Sequence, residues 1–247
     1  MISFRNVKKS FGPKAVLKGV SFDVRAGEVF FIIGASGVGK SVLIKHLIGL
    51  LYPDDGEIFL DGEEVSRFDE ERMYPVRKKC AMVFQHSTLF DSMSCVENVM
   101  LPLKKHKGMT DKEAREDALR RLTQVHMREF ADRFPSELGD GMRKRVAIAR
   151  ALTLDPSYVL FDEPTTSLDP VSARRVDHLI RELSDTVGVT SIVVSHDLVS
   201  IFSIADRIVM LYQGHVKLLG TQDDFRNTDD PIIQQFINGR AEGPMET

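Results

Sequence analysis

Residues 2–8 and 16–24 alternate apolar and polar side chains on either side of the turn Gly12-Pro13, a period of two that predicts antiparallel strands with one buried face. Val29 to Ile33 is different: a continuous apolar run ending at Gly34, as expected of a strand covered on both faces. Beyond Gly34 the period changes. Leu43, Ile44, Leu47, Ile48 and Leu50 follow Lys40 at helical spacing, so strand, glycine loop and helix come in that order. Short strands are expected at 57–60, before the turn Asp61-Gly62, and at 81–84. Tyr158–Phe161 and Ser191–Val194 restore the buried-strand pattern, with a helical stretch at 170–187 between them. Residues 86–152 show no buried strand; they are richer in charge, and their helical period is clearest at 110–127 through Ala114, Ala118, Leu119 and Leu122. The pattern predicts an α/β fold: a mainly parallel, helix-flanked sheet with an antiparallel β element at its start and a helical insertion. The expected division is a core from 1–85 and 153–221, a helical subdomain at 86–152 and a tail at 222–247. The tail carries Asp223, Asp224, Asp229 and Asp230 and ends in Gly239, Gly243 and Pro244, so part of it is expected to lack a packing surface.

Composition narrows the function classes. The 247 residues, 43% hydrophobic and 28% charged, suit one large globular domain or a domain with an insertion. A net charge of -3 supplies no field for a nucleic-acid backbone or an anionic bilayer, so no nucleic-acid partner is expected. The basic runs Lys104-Lys105-His106-Lys107 and Arg143-Lys144-Arg145 are short enough to be solvated helix faces or ends. Cys80 and Cys95 give neither metal-ligand spacing nor a disulfide framework, which suits a reducing compartment such as the cytoplasm. No apolar run approaches the roughly 18 to 20 residues a spanning helix needs. Arg5, Lys8 and Lys9 interrupt any signal-peptide pattern, so a membrane role is expected to come through a partner.

Gly34-Ala35-Ser36-Gly37-Val38-Gly39-Lys40-Ser41 matches G-x-x-x-x-G-K-[ST] between a buried strand and a helix, the context its mechanism needs. Glycines let backbone N–H groups turn towards phosphate oxygens, and the helix presents its positive end to the same charge. Lys40 is then expected to reach the β- and γ-phosphates of ATP and Ser41 to ligate Mg2+. Leu160-Phe161-Asp162-Glu163 ends a buried strand on two carboxylates. Alone such a pair is more often a turn or cap. With a phosphate loop in the chain, Asp162 is expected to hold magnesium through its hydration shell, and Glu163 to orient or deprotonate the attacking water.

With these motifs in place the chain resembles the ABC ATPase family of P-loop NTPases, in the right order over nearly its whole length. Phe11 matches the aromatic that stacks on adenine, with Val16 beside it, and Gln85 the glutamine that links the magnesium site to the helical subdomain. Leu138-Gly139-Asp140-Gly141-Met142 matches the signature loop, Ser167-Leu168-Asp169 the D-loop, and His196 in Val194-Ser195-His196-Asp197 the switch histidine. Taken singly, Phe11 reads as a core residue, Gln85 as a surface glutamine and His196 as a hydrogen-bonded structural group; order and spacing give the functional reading. The resemblance implies Lys40, Gln85, Glu163 and His196 in catalysis, and Ser41, Gln85 and Asp162 at the metal. It implies nucleotide contacts from Phe11, Val16, the loop 34–41, and Gly139, Asp140, Gly141 and Asp169. It further implies two protomers head to tail with ATP between them, on integral-membrane permease subunits at the cytoplasmic face of an inner membrane. Leu89-Phe90, apolar in a polar stretch beyond Gln85, is the expected permease contact.

Family signatures usually carry Ser-Gly where Gly139-Asp140 stands here. Either Asp140 repels the phosphate, or it caps a helix beginning near Gly141 by accepting from the N–H of Met142 or Arg143, with Arg143 or Lys144 offsetting its charge; capping is the expectation. Met142, Val194-Ser195-His196-Asp197-Leu198 followed by Ser203-Ile204-Ala205-Asp206, and the ending Gln235–Pro244 are similar to the ATPases of lipid-transport systems that work with Mce-domain proteins, the maintenance-of-lipid-asymmetry type. That likeness implies a phospholipid cargo, an Mce-domain partner and, in some members, a small STAS-domain regulator. An ABC ATPase coupled to a non-transport partner, such as a cell-wall or cell-division complex, would share every nucleotide motif. A non-catalytic regulatory dimer is disfavoured by intact Lys40, Asp162, Glu163 and His196, and a small-molecule kinase explains neither the signature nor His196.

Overall fold

The computed structural model of the chain describes residues 1–245, so Glu246 and Thr247, which end the expected tail, lie outside the described residues. Strand β3 (Val29–Ile33) is buried throughout, and its side chains divide between two cores: Val29, Phe31 and Ile33 enter one, Phe30 and Ile32 the other. Strands β7 (Tyr158–Asp162) and β8 (Thr190–Val194) repeat the division, with Val159, Phe161 and Val193 on one side and Tyr158, Leu160, Ile192 and Val194 on the other. Successive side chains of a strand point to opposite faces, so a sheet with a core on each face needs unbroken apolar runs.

These strands belong to a six-stranded sheet of order β10-β9-β3-β8-β7-β6, where β6 is Cys80–Val83, β9 Arg207–Tyr212 and β10 His215–Gly220. All neighbours pair in parallel except β10, which returns antiparallel on β9. An antiparallel sheet of order β2-β1-β4-β5 is formed by β1 (Ile2–Phe11), β2 (Lys14–Val24), β4 (Asp55–Leu60) and β5 (Glu63–Glu64). Its inner residues, among them Phe4, Val20 and Ile58, close one core with α1 (Lys40–Leu47) and α2 (Glu70–Lys79). The opposite core is covered by α3 (Cys95–Lys107), α4 (Asp111–Gln124), α5 (Asp140–Ala151), α6 (Pro170–Val187) and α7 (Leu198–Ile204). Between Val83 and Tyr158 the described chain forms helices and no strand. Ser94 with Glu97 and Thr110 with Glu113 build reciprocal capping boxes that fix where α3 and α4 begin.

Three expectations need correction. Helix α1 stops at Leu47 and the chain turns at Gly49, so Leu50 leaves the predicted apolar stripe and is 51% exposed. Strands β9 and β10 extend the sheet where no strand was expected. The tail lacks packing only at 238–244, which are exposed: α8 (Gln222–Asn227) and α9 (Pro231–Ile237) bury Phe225 and Ile233, and Met245 joins the same core. Its acidic residues are partly caps, since Asp224 accepts from the Thr221 N–H at 2.7 Å and Asp230 from the Ile232 N–H at 2.9 Å. Cys80 and Cys95 are free and buried. Among the described residues no helix is long and apolar enough to cross a membrane.

Candidate functional site

In a parallel sheet the carboxyl ends of the strands share one edge, and four loops leave it here: Gly34 after β3, Gln85 after β6, Asp162-Glu163 at the end of β7 and His196 after β8. The first loop is shaped by glycine. At Gly34, with φ 138°, a Cβ would stand 2.3 Å from the Leu211 carbonyl oxygen; at Gly39, with φ 108°, it would stand 2.6 Å from the Leu17 side chain. The loop opens α1, whose first residue Lys40 turns its ammonium back to donate to the carbonyls of Gly34 at 2.8 Å and Ala35 at 3.0 Å. Burial pulls that ammonium below its usual range, and the carboxylates of Glu163 and Asp162 oppose the fall.

Ser41 donates to Asp162 Oδ1 at 2.6 Å, so α1 and the end of β7 meet directly. Asp162 is buried, whereas Glu163 stands at the cleft with a positive φ of 51° and its N–H bonded to the Val194 carbonyl. That left-handed backbone, uncommon outside glycine, turns the carboxylate away from the strand direction. His196 Nδ1 lies 2.9 Å from Glu163 Oε2, and Thr166 donates to the same oxygen at 3.2 Å. The histidine loop is anchored behind: Asp197 caps α7 and pairs with Arg174 at 2.5 Å. Ser200 links Asp197 to the buried Asp177, whose carboxyl burial pushes up to about 6.

A cleft of about 690 Å³ gathers these groups, lined by Gly34 to Gly37, Gly39, Lys40, Ser41, Gln85, Glu163 and His196, with Phe11 and Val16 at one side. Phe11 is 46% exposed, so its ring is available to a flat ligand rather than consumed in packing. Val38 is absent from the lining; its side chain packs against the core beneath, which leaves a phosphate contact to its backbone alone. The cleft also contains Val42, Thr166 and Phe236, none of them expected. Val42 and Thr166 lie within a residue or three of motif positions, where spacing could have pointed to them; Phe236 arrives only because α9 packs back on the body.

Gly139, Asp140, Gly141 and Asp169 line a separate cleft of about 560 Å³, so within one chain the structure does not bring them to the phosphate loop. Helix α5 starts at Asp140 with Gly139 as its cap residue and no side-chain cap. The expected Asp140 cap is therefore wrong by one position: Met142 and Arg143 donate to the Gly139 carbonyl, both at 3.0 Å, and the Asp140 carboxylate pairs instead with Arg143. The expected charge offset by Arg143 is present. A Cβ on Gly141 would lie 2.8 Å from the Ser172 Cβ, so glycine lets the start of α5 approach the start of α6. Asp169 spends Oδ1 on capping α6, accepting from Val171 and Ser172 at 3.0 Å each.

Comparison with known proteins bears on the family rather than on single site residues. The profile of the ABC transporter family matches residues 17–166. The chain is 36% identical over 245 residues to the intermembrane phospholipid transport system ATP-binding protein MlaF of Haemophilus influenzae, covering 99% of this chain and 93% of that protein. It is also 36% identical over 244 residues to the probable ribonucleotide transport ATP-binding protein mkl of Mycobacterium leprae, covering 99% and 70%. A dimeric ATP-binding cassette in a post-hydrolysis state with ADP and Pi superposes with a TM-score of 0.80 at 34% identity, covering 90% of this chain and 98% of that one. The cbiO1 component of the ABC transporter complex cbiONQ from Clostridium perfringens gives 0.85 at 27% identity, covering 97% and 95%. The chain belongs to the ABC transporter family, as an ATP-binding, ATP-hydrolysing cassette.

Proposed function

We propose that two copies of this chain, docked at the cytoplasmic face of an inner membrane on a permease made by other chains, hydrolyse ATP to move phospholipid between membranes. The observation that carries the reading is the division of labour between two clefts. Lys40, Ser41, Glu163 and His196 converge on one, and the glycine turn at 139–141 lines the other. A head-to-tail pair would lay the turn of one copy over the phosphate cleft of its partner, so triphosphate would join them and its loss would release them. In this reading 1–85 and 153–221 hold the nucleotide, and 86–152 present the turn.

Within the cleft, Phe11 offers its face to adenine with Val16 beside it. The loop N–H groups and the start of α1 take the phosphates, and Lys40 exchanges its two carbonyl partners for phosphate oxygens. Ser41 and Asp162, 2.6 Å apart, are hard oxygen donors that fit magnesium, and Gln85 adds an amide oxygen at the same cleft. Bound with ATP, the ion supplies neutralisation of phosphate charge. Glu163 orients or deprotonates the attacking water, while His196 and Thr166 fix the direction of its Oε2.

The phospholipid assignment rests on full-length similarity to the protein named MlaF. Purifying the chain from its native membranes in mild detergent should bring down a multi-spanning permease, an Mce-domain protein with bound phospholipid, and a small STAS-domain regulator. Recovery with a cell-wall remodelling complex and no lipid binder would remove the lipid assignment. The contact surface beyond Gln85 is narrower than expected, because Leu89 packs on the core and only Phe90, 50% exposed, is free to meet a partner. Phe90→Glu should lose most of the co-purifying permease with ATP affinity unchanged; undiminished recovery contradicts the docking role.

The signature departure has a measurable consequence. A serine at 139 would add a hydrogen bond to a charged phosphate, worth about 1.5–3 kcal/mol, and a glycine at 140 would remove a carboxylate that Arg143 now holds. Gly139→Ser with Asp140→Gly should raise ATP turnover of the assembled complex about tenfold. Slower turnover would show that the Asp140–Arg143 pair supports catalysis rather than limiting it.

A further inference from the structure

Lys144 lies in the second turn of α5 and is 2% exposed, yet its ammonium does not line the phosphate cleft and, among the described residues, pairs with no carboxylate. It donates to two consecutive carbonyls, Phe84 at 2.9 Å and Gln85 at 2.6 Å, where the chain leaves β6. Burying an ammonium is unfavourable unless its protons are taken up, and an apolar side chain would fill the same space without that demand. Two adjacent carbonyls converging on one cation also fix the backbone of the segment that sends Gln85 into the phosphate cleft. A small cleft of about 250 Å³ lies at this junction, lined by Gln85, Asp140, Lys144 and Ser167, so the glutamine segment, the start of α5 and the loop before α6 meet there.

We infer that Lys144 is a positioning residue for hydrolysis: it ties the Phe84 and Gln85 carbonyls to the helix that begins at the glycine turn. The approach of Gln85 to its own nucleotide and the placement of the turn on the partner's nucleotide then change together. The inference deepens the proposed function and rests on Gln85 meeting the nucleotide of its own copy and the glycine turn meeting that of the partner.

Steady-state ATP hydrolysis by the full chain tests it with Lys144→Met, which removes the donors at similar volume, Lys144→Arg, which keeps a cation, and Gln85→Ala. Lys144→Met should lower kcat tenfold or more with KM for ATP within twofold. Lys144→Arg should recover at least a third of the wild-type rate, and the Lys144→Met, Gln85→Ala double variant should be no slower than the slower single one. If Lys144→Met does not fold, Lys144→Gln, whose amide can still donate to one carbonyl, should show a smaller loss of kcat with KM again within twofold, and an unchanged kcat beside a slow Gln85→Ala counts against the latch. A kcat for Lys144→Met within twofold of wild type, beside a slow Gln85→Ala, overturns the latch alone. A loss of kcat that Lys144→Arg leaves unrescued, with KM rising in step, reduces Lys144 to packing. Gln85→Ala turning over at the wild-type rate overturns the role of Gln85 and the latch with it.

Discussion

Glu163→Gln is expected to reduce ATP turnover by about 10²- to 10⁴-fold, the usual contribution of a positioned general base, while leaving ATP binding intact. The side chain keeps its shape and its place beside His196 and Thr166, both now within 3.2 Å of Oε2. What it loses is the charge that orients or deprotonates water. A triphosphate that is bound but not cleaved continues to join the two copies, so the variant should run as a dimer with ATP and as a monomer without it. Phosphate release and light scattering check the two halves separately. Turnover within tenfold of wild type, or a folded variant that stays monomeric with ATP, would show that Glu163 does not act on the attacking water.

Lys40→Met should act one step earlier, on binding. Its ammonium sits inside the glycine loop, bonded to the Gly34 and Ala35 carbonyls and close enough to Asp162 and Glu163 to feel both charges. Each hydrogen bond to a charged phosphate is worth about 1.5–3 kcal/mol, so ATP affinity should fall at least ten- to a hundredfold. Turnover should fall by a further 10²–10³, as when an oxyanion donor is lost. Calorimetric titration distinguishes the variants: Glu163→Gln binds and does not turn over, Lys40→Met does neither. An ATP dissociation constant within twofold of wild type for Lys40→Met would contradict the placement of its charge.

What was legible in the sequence follows from which physical signals are local. β3, β7 and β8 are continuous apolar runs because each feeds two cores, and no other local pattern produces that run next to a glycine loop. The phosphate loop with Ser41, the pair Asp162-Glu163 and His196 could be placed because each group sits at or just beyond the carboxyl end of such a strand. β9 carries a comparable run from Ile208 to Leu211 and was within reach of the same logic. β10 was not, because an edge strand with half-exposed residues on both faces has no clear period. The acidic tail misled for a definite reason: Asp230 caps α9 and Asp224 completes the capping box that Thr221 opens on α8, and such a residue looks like solvated charge until the helix it starts is known. Asp140 failed by the opposite route. Its residue type suits a cap, but the Gly139 carbonyl accepts the first helical bonds and puts Asp140 inside the helix. Neither the Glu163–His196 contact nor the Lys144 bonds to Phe84 and Gln85 could be read from the chain, since each joins elements far apart in sequence.

The decisive question is where the triphosphate of one copy ends. A structure of the full chain carrying Glu163→Gln, loaded with ATP and magnesium, measures this directly. The γ-phosphate should lie within hydrogen-bonding distance of both Lys40 of one copy and the backbone at residues 139–141 of the second. A triphosphate that contacts a single copy, with the second bound elsewhere or absent, would contradict the shared site.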